Sequence, residues 1–207
     1  MTMDTEIEAK FYPVNKDTYR KRLRSIGAKL IITERLMRRA IIDRRSHPEF
    51  VCDYIRVRDE GNLVRLSAKV HTDQTGSLGD QKEIDVVVSD FDRTLQLFES
   101  MGYKFDHFME TLRETWAYQG AEITIDTWPC LQPLSEIEAK SVNQVQTIAG
   151  KLGFDWRKKI ITAAVEIIAE VYHLSIEETL AKVNHLTFNN NPFADLPKYG
   201  IINQQSV

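Results

Sequence analysis

The sequence predicts an α+β fold of about eight mostly antiparallel strands, with helices between and after them. Three observations carry that prediction. Short runs alternate polar and apolar residues with the period of two that a strand imposes. Turn residues or helical segments separate these runs. Charged residues recur as same-face pairs from one strand to the next. The clearest are two matching pentads near the two ends of the strand region, Glu6-Ile7-Glu8-Ala9-Lys10 and Glu136-Ile137-Glu138-Ala139-Lys140. Each puts two carboxylates and a lysine on one face, and Ile and Ala on the other.

The elements follow in order. A first strand over 4–12 ends at Pro13. A helix is expected over 15–26, with Tyr19, Leu23 and Ile26 at helical spacing and Gly27 as its stop. Strands follow over 35–43 and 52–59. Glu60-Gly61-Asn62 turns the chain into a strand over 63–70. The polar stretch 72–79 reads as a loop, and 80–88 as the next strand. Ser89-Asp90 caps a helix that carries Phe91, Leu95, Leu97 and Phe98 and stops at Gly102. Strands are expected over 104–118, 121–126 and 134–141. Helices are expected over 142–152, 157–172 and 175–183, the last opened by a Ser175/Glu178 capping box. From Leu186 onward the chain reads as irregular.

At 207 residues the chain fits one domain with a small appendage. With 27 basic and 30 acidic residues, its net charge of −3 gives no argument for DNA or membrane binding. Cys52 and Cys130 form no Cys-x-x-Cys pair and are read as reduced thiols of a cytoplasmic protein. The N-terminus lacks the basic and apolar regions of a signal peptide, so none is expected. The apolar stretch 160–171 is interrupted by Glu166 and Glu170 and is too short to span a bilayer.

Parity along the strands locates the chemistry. Glu6, Glu8 and Lys10 share one face. So do Arg56 and Arg58, then Arg65, Ser67 and Lys69, then Glu83 and Asp85, then Thr124 and Asp126, then Glu136 and Glu138. Two arrangements satisfy this pattern. In a sandwich, these charges would face water. In a closed barrel of about eight strands, they would line an interior wide enough for a small ligand, and helices would cover the apolar face. Such an interior needs an anion for its basic groups and a cation for its acidic ones. A polyphosphate with Mg²⁺ or Mn²⁺ supplies both, through Arg forks on phosphate oxygens and carboxylates on a hard cation.

The ordered set Glu6-x-Glu8-x-Lys10, Arg56-x-Arg58, Lys69, Glu83-x-Asp85, Arg113, Asp126 and Glu136-x-Glu138 resembles the CYTH superfamily of triphosphate tunnel metalloenzymes. The resemblance covers roughly residues 3–155. It implies an eight-stranded antiparallel β-barrel tunnel with surrounding helices. It also implies metal-dependent hydrolysis of a triphosphate-containing small molecule. By the same resemblance, Lys10, Arg56, Arg58, Lys69 and Arg113 hold phosphate. Glu6, Glu8, Glu136 and Glu138 bind the metal, Mg²⁺ or Mn²⁺, with Asp126 close by. Glu6 and Glu8 also serve catalysis, as do Glu83 and Asp85, which position basic residues or a metal-bound water. Arg38 is placed with the phosphate ligands, and Arg39 is its equal rival because parity in that strand is ambiguous.

The tunnel domain is thus expected over 1–155. A helical extension and irregular tail over 156–207 are expected to pack on the same domain. The apolar stripe Ile160, Ala164, Ile168 and Val171 suits core packing, a homodimer contact or a lid. Two departures from the family pattern stand out. Asp85 replaces a common Glu, and Thr111 stands where a basic residue is frequent. His107 is read as structural, and Trp128 as core or rim packing. Thr75-Gly76-Ser77-Leu78-Gly79 lacks the Gly-Lys-Ser/Thr ending of a phosphate loop. The alternatives to hydrolysis are a class IV adenylyl cyclase making cyclic AMP from ATP, and a non-catalytic polyphosphate or nucleotide binder.

Overall fold

The computed structural model describes residues 4–5, 7–71 and 81–199. Its strands and helices run β1 Asp4–Thr5, β2 Glu8–Phe11, α1 Lys16–Ser25, β3 Lys29–Asp43, β4 Tyr54–Asp59, β5 Val64–His71 and β6 Gln81–Val88. They continue α2 Phe91–Ser100, β7 His107–Tyr118, β8 Ala121–Thr127, β9 Leu134–Glu138 and α3 Val142–Lys151. A 3₁₀ turn Trp156–Lys158 precedes α4 Ala164–Tyr172, α5 Ile176–Val183 and β10 His185–Leu186. Of the α-helices, all but α4, which follows Ala163, begin where a capping side chain stands. Asn15, Asp90 and Ser141 each accept a first-turn backbone N–H, and Ser175 with Glu178 forms the reciprocal box.

The sheet runs in the order β1-β6-β5-β4-β3-β7-β8-β9-β2, with β10 added to β7. Every pair along that path is antiparallel. Its two outermost members, β1 and β2, are successive pieces of one N-terminal segment. The curled sheet therefore returns on itself through that segment, an antiparallel eight-strand architecture within an α+β fold.

Most apolar side chains of this sheet point away from its axis and pack under helices, while Leu36 and Val86 stay exposed. Ala9, Phe11, Ile123, Ile125 and Ile137 pack under α1 and α3, against Tyr19, Leu23, Ile148 and Leu152. Ala40 and Val57 pack under Phe91 of α2. Because side chains alternate, burying this face under helices leaves the charged face inside the curl. The sandwich alternative, with the charges facing bulk water, is thereby excluded. Among the described residues no helix is long and apolar enough to cross a membrane.

Two expected elements differ. The expected 35–43 strand begins at Lys29, with register irregularities between Leu30 and Arg35. The expected helix over 157–172 is a short 3₁₀ turn, an extended stretch and then α4. The reason is a strand edge. β1 pairs with β6 through Asp4 and Thr5, while at Lys10 the same side of the N-terminal segment faces residue 160. Lys10 N donates to Ile160 O at 2.8 Å, and Ile160 N donates back to Lys10 O at 2.9 Å. Backbone groups on a buried edge need partners, and here they outweigh the helical periodicity. The stripe Ile160, Ala164, Ile168 and Val171 then packs into this chain's own core with Tyr12, Trp128, Leu134 and Phe193.

Candidate functional site: a charged cavity inside the curled sheet

The charged face encloses a cavity of about 1260 Å³. Its basic side is built on β3, β4 and β5. Arg39, Arg56 and Lys69 are buried, and Arg58 is nearly so. Register sets Arg39 opposite Arg58, and Arg58 opposite Arg65, so three arginines stand side by side on adjacent strands. Like charges this close need braces. Glu60 supplies one: its Oε1 accepts from Arg58 Nε at 3.0 Å and Nη2 at 2.7 Å, and from Arg65 Nε at 3.1 Å. Arg35 Nη2 lies 3.5 Å from the other Glu60 oxygen. Glu83 supplies another, accepting from Arg56 Nη2 at 2.8 Å and standing 2.8 Å from Lys69 Nζ.

Arg39 is different. Its Nη2 donates to Thr111 Oγ1 at 2.8 Å, and its guanidinium lies 4.7 Å from the Trp128 ring centre. It has no carboxylate partner among the described residues. Burial, then Arg58, Arg56 and Arg113, pushes its pKa down to about 9. Burial, then Arg56 and Arg113, pushes Arg58 down to about 10. Both stay protonated at neutral pH, so the cluster holds more positive charge than its surroundings neutralise.

The acidic side lies on β2, β8 and β9. Glu8 stands opposite Glu138, and Glu138 opposite Glu122. Glu122 and Glu138 open to solvent at the mouth. Partial desolvation against the wall, then Glu8 and Glu122, raises the Glu138 carboxyl above its ordinary range. One rung away, Lys10 Nζ donates to Glu8 Oε1 at 2.5 Å and lies 3.9 Å from Glu136 Oε1. Arg113 Nε donates to Asp126 Oδ1 at 2.7 Å, while its Nη2 binds Asp126 Oδ2 and donates to Glu136 Oε2 at 2.6 Å. Burial works to raise Glu136, but Arg113, Lys10, Arg39 and Lys69 outweigh it and hold it at about 2. Burial raises Asp126 despite Arg113, with Glu136 adding to the effect.

The expected site residues are thus brought together with defined exceptions. Lys10, Arg56, Arg58, Lys69 and Arg113 line the cavity, as do Glu8, Glu83, Asp85, Asp126, Glu136 and Glu138. Asp85 accepts from Ser67 Oγ and lies 3.5 Å from Arg65. Desolvation, then Glu83, raises its carboxyl even though Ser67 and Arg65 pull the other way. Glu6 lies outside the described residues. Arg38 is a correction: it sits on the outer face, donating to Asp59 Oδ2 at 2.7 Å and lying over Phe91. The strand's alternation puts Arg39, Ile41 and Asp43 inside, so Arg39 takes the place given to Arg38.

Asp126 and Glu136 hold Arg113 and so do not stand open as a pair of ligands. Among the described residues no group of three His, Cys, Asp or Glu side chains could by itself hold a metal ion. Glu8, Glu122 and Glu138 still face one space as hard oxygen donors, and at Glu138 their charge is uncompensated. That chemistry fits a Mg²⁺-like ion held by one or two carboxylates and completed by phosphate oxygens.

Sequence reasoning passed over three contributors. Glu122 shares the parity of Thr124 and Asp126 and was findable by counting. Arg65 was on the correct face but was not singled out. Glu60 sits in a turn, where alternation gives no direction.

Comparison with known proteins bears on the fold. No protein-family model and no curated protein matches the sequence. Solved structures do. A protein from Pyrococcus horikoshii matches with TM-score 0.64 at 19% identity, over 78% of this chain and 98% of its own. An adenylate cyclase candidate from Vibrio parahaemolyticus matches with TM-score 0.67 at 12% identity, over 81% and 99%. An adenylyl cyclase candidate from Hippeastrum with a dominant triphosphatase activity matches with TM-score 0.53 at 12% identity, over 81% and 94%. The chain therefore shares the fold of these solved structures. About a fifth of this chain has no counterpart in neighbours that it spans almost end to end.

Proposed function

We propose that this protein is a divalent-metal-dependent hydrolase of a triphosphate substrate bound inside the curled sheet. The observation that carries this reading is the cluster Arg39, Arg56, Arg58, Lys69 and Arg113 in one cavity, with Arg39 lacking a carboxylate partner among the described residues. A triphosphate brings several anionic oxygens to that deficit, and Arg forks match them in pairs. The neighbour from Hippeastrum, with its triphosphatase activity, supports the same reaction on the same fold.

Each residue then has a task. Arg39, Arg58 and Arg113 hold the phosphate chain, and Lys10 and Lys69 add point charge. Glu60 and Glu83 keep the basic side chains extended into the cavity. Glu8, Glu122 and Glu138 would hold Mg²⁺ or Mn²⁺ jointly with phosphate oxygens. When bound, that ion supplies charge neutralisation and a more acidic water. Water oxygen bonds to the terminal phosphorus as the bridging P–O bond breaks, and the departing phosphate chain keeps the bridging oxygen. Asp85, with its raised carboxyl, suits the proton released by that water. The arginines stabilise the charge that builds on the departing chain.

The test is incubation of purified protein with tripolyphosphate, ATP and thiamine triphosphate, each with Mg²⁺ or Mn²⁺. Orthophosphate release from at least one is expected, and none from any overturns the proposal. Cyclic AMP and diphosphate from ATP would instead mark the cyclase reading, which the Vibrio neighbour's name favours. Tight binding without turnover would mark a binding protein.

A further inference from the structure

The cations of the cavity are held in two different ways. Lys10, Arg56, Arg58, Arg65, Lys69 and Arg113 each have a carboxylate within 3.1 Å. Arg39 is buried like most of them but is held by neutral groups. Its guanidinium lies 4.7 Å from the Trp128 ring centre, and its hydrogen-bond acceptor among the described residues is Thr111 Oγ1, at 2.8 Å. Register explains the contact. Arg39 stands directly opposite Met109, so Thr111 is its diagonal neighbour, within reach of a long side chain. Met109 and Arg113, on either side of Thr111 along β7, line the cavity, as does Arg39. Thr111 is fully buried and meets a bound molecule only through Arg39. Trp128 is itself fixed in the core with Tyr12, Leu134 and Ile168. The ring therefore sets where the guanidinium lies, and the hydroxyl sets which way it is turned.

The two kinds of holder differ in what they leave for a ligand. A carboxylate beside a cation answers its charge and repels an incoming anion. A hydroxyl and a ring face orient a guanidinium and leave that charge in place. A buried cation without a carboxylate is costly, and an anionic ligand relieves the cost. We infer that Thr111 is a positioning residue that, with Trp128, aims Arg39 into the cavity uncompensated, and that Arg39 thereby selects triphosphate over diphosphate by charge. This rests on the triphosphate reading and narrows it, by naming what lets the site prefer its substrate to a shorter product. Coulomb attraction grows with the ligand's charge, and tripolyphosphate carries more than diphosphate. At the paired cations the neighbouring carboxylates offset part of that gain. At Arg39 no carboxylate among the described residues does so.

The experiment measures calorimetric binding of tripolyphosphate, ATP and diphosphate without divalent metal, so that no turnover intervenes. Wild type, Thr111→Ser, Thr111→Val and Thr111→Asp are compared, with thermal unfolding and with kcat and KM for tripolyphosphate in Mg²⁺. Wild type is expected to bind tripolyphosphate more tightly than diphosphate. Thr111→Asp keeps a partner for Arg39 but neutralises it. It is expected to weaken tripolyphosphate at least about tenfold, the scale of one charged contact, and diphosphate less. Thr111→Val removes the acceptor and is expected to raise KM about tenfold with kcat changed less than about twofold. Thr111→Ser restores the hydroxyl and is expected to stay within about twofold of wild type. A threonine that only packs would give losses that follow stability and fall equally on every ligand. Unchanged tripolyphosphate binding in Thr111→Asp, equal losses on tripolyphosphate and diphosphate, or a Thr111→Ser as weak as Thr111→Val overturns the positioning role alone. If Thr111→Asp does not fold, the Ser and Val variants decide. A wild type that neither binds nor hydrolyses tripolyphosphate or ATP overturns the triphosphate reading, and the role of Thr111 with it.

Discussion

The two sides of the cavity handle charge in opposite ways. On the basic side, carboxylates are spent as braces: Glu60 ties down Arg58, Arg65 and Arg35, and Glu83 ties down Arg56 and Lys69. On the acidic side, Glu8, Glu138 and Glu122 stand side by side on adjacent strands at an open mouth, and Lys10 serves Glu8. Arg113 joins the two sides through Asp126 and Glu136. Burial explains the difference. A buried cation cluster must be braced by carboxylates before substrate arrives, because interior charge left without partners is expensive. Carboxylates at a solvent-open mouth can stay underpaired, since water screens them.

Breaking the link between the two sides should have the largest effect. Glu136→Gln leaves Arg113 and Lys10 with weaker partners and is expected to lower kcat at least about 100-fold, the scale of losing one preorganised charged contact. Steady-state phosphate release checks it, and near-normal turnover would separate Glu136 from catalysis.

Next comes the brace on the basic side. Glu60→Gln releases Arg58 and Arg65 and is expected to raise KM about tenfold with a smaller change in kcat. A fall in kcat at unchanged KM would show that Glu60 does something other than position phosphate ligands.

The C-terminal packing should respond through stability. Ile168→Ala removes a side chain that is 1% exposed. It is expected to cost about 2–5 kcal/mol, read by thermal or denaturant unfolding. A loss below about 1 kcal/mol would mean that α4 is held in place by other contacts.

The two sides also titrate differently. Glu136 is held at about 2 against an ordinary 4.5, so it favours the folded state above pH 4.5 and loses that contribution as pH falls from 4.5 toward 2. Glu138 is raised, so protonating it on acidification favours folding instead. Unfolding measured in that window should show a loss of stability in wild type, and a shallower loss in Glu136→Gln. An unchanged slope would place the acid sensitivity elsewhere.

The smallest effect is expected at Arg38. Its half-buried pair with Asp59 lies outside the cavity, so Arg38→Ala should change turnover less than about twofold and stability by no more than about 1 kcal/mol. Arg39→Ala, one residue on, should weaken triphosphate binding at least about tenfold.

Much of the fold was legible because alternation is local. The runs around Glu8, Arg58, Lys69, Glu83 and Glu136 each show their face without help from the rest of the chain. The adjacent pair Arg38-Arg39 does not, because both faces of β3 carry arginine there and irregularities upstream shift the count. The helical reading of 157–163 failed for a related reason: its periodicity was real, but a strand edge at Lys10 claimed its backbone.

The sequence by itself determined which side chains share a face, since a strand's period of two is fixed by backbone geometry and needs no neighbours. It thereby named most of the residues that line the cavity. Tertiary structure alone decided that this face is the inside, because helices α1, α2 and α3 had to cover the other one. It alone chose Arg39 over Arg38 and made the turn residue Glu60 a brace. It also brought the C-terminal helices to the cavity wall. These are contacts between residues far apart in the chain, and no local pattern encodes where a closing sheet and its last helices meet.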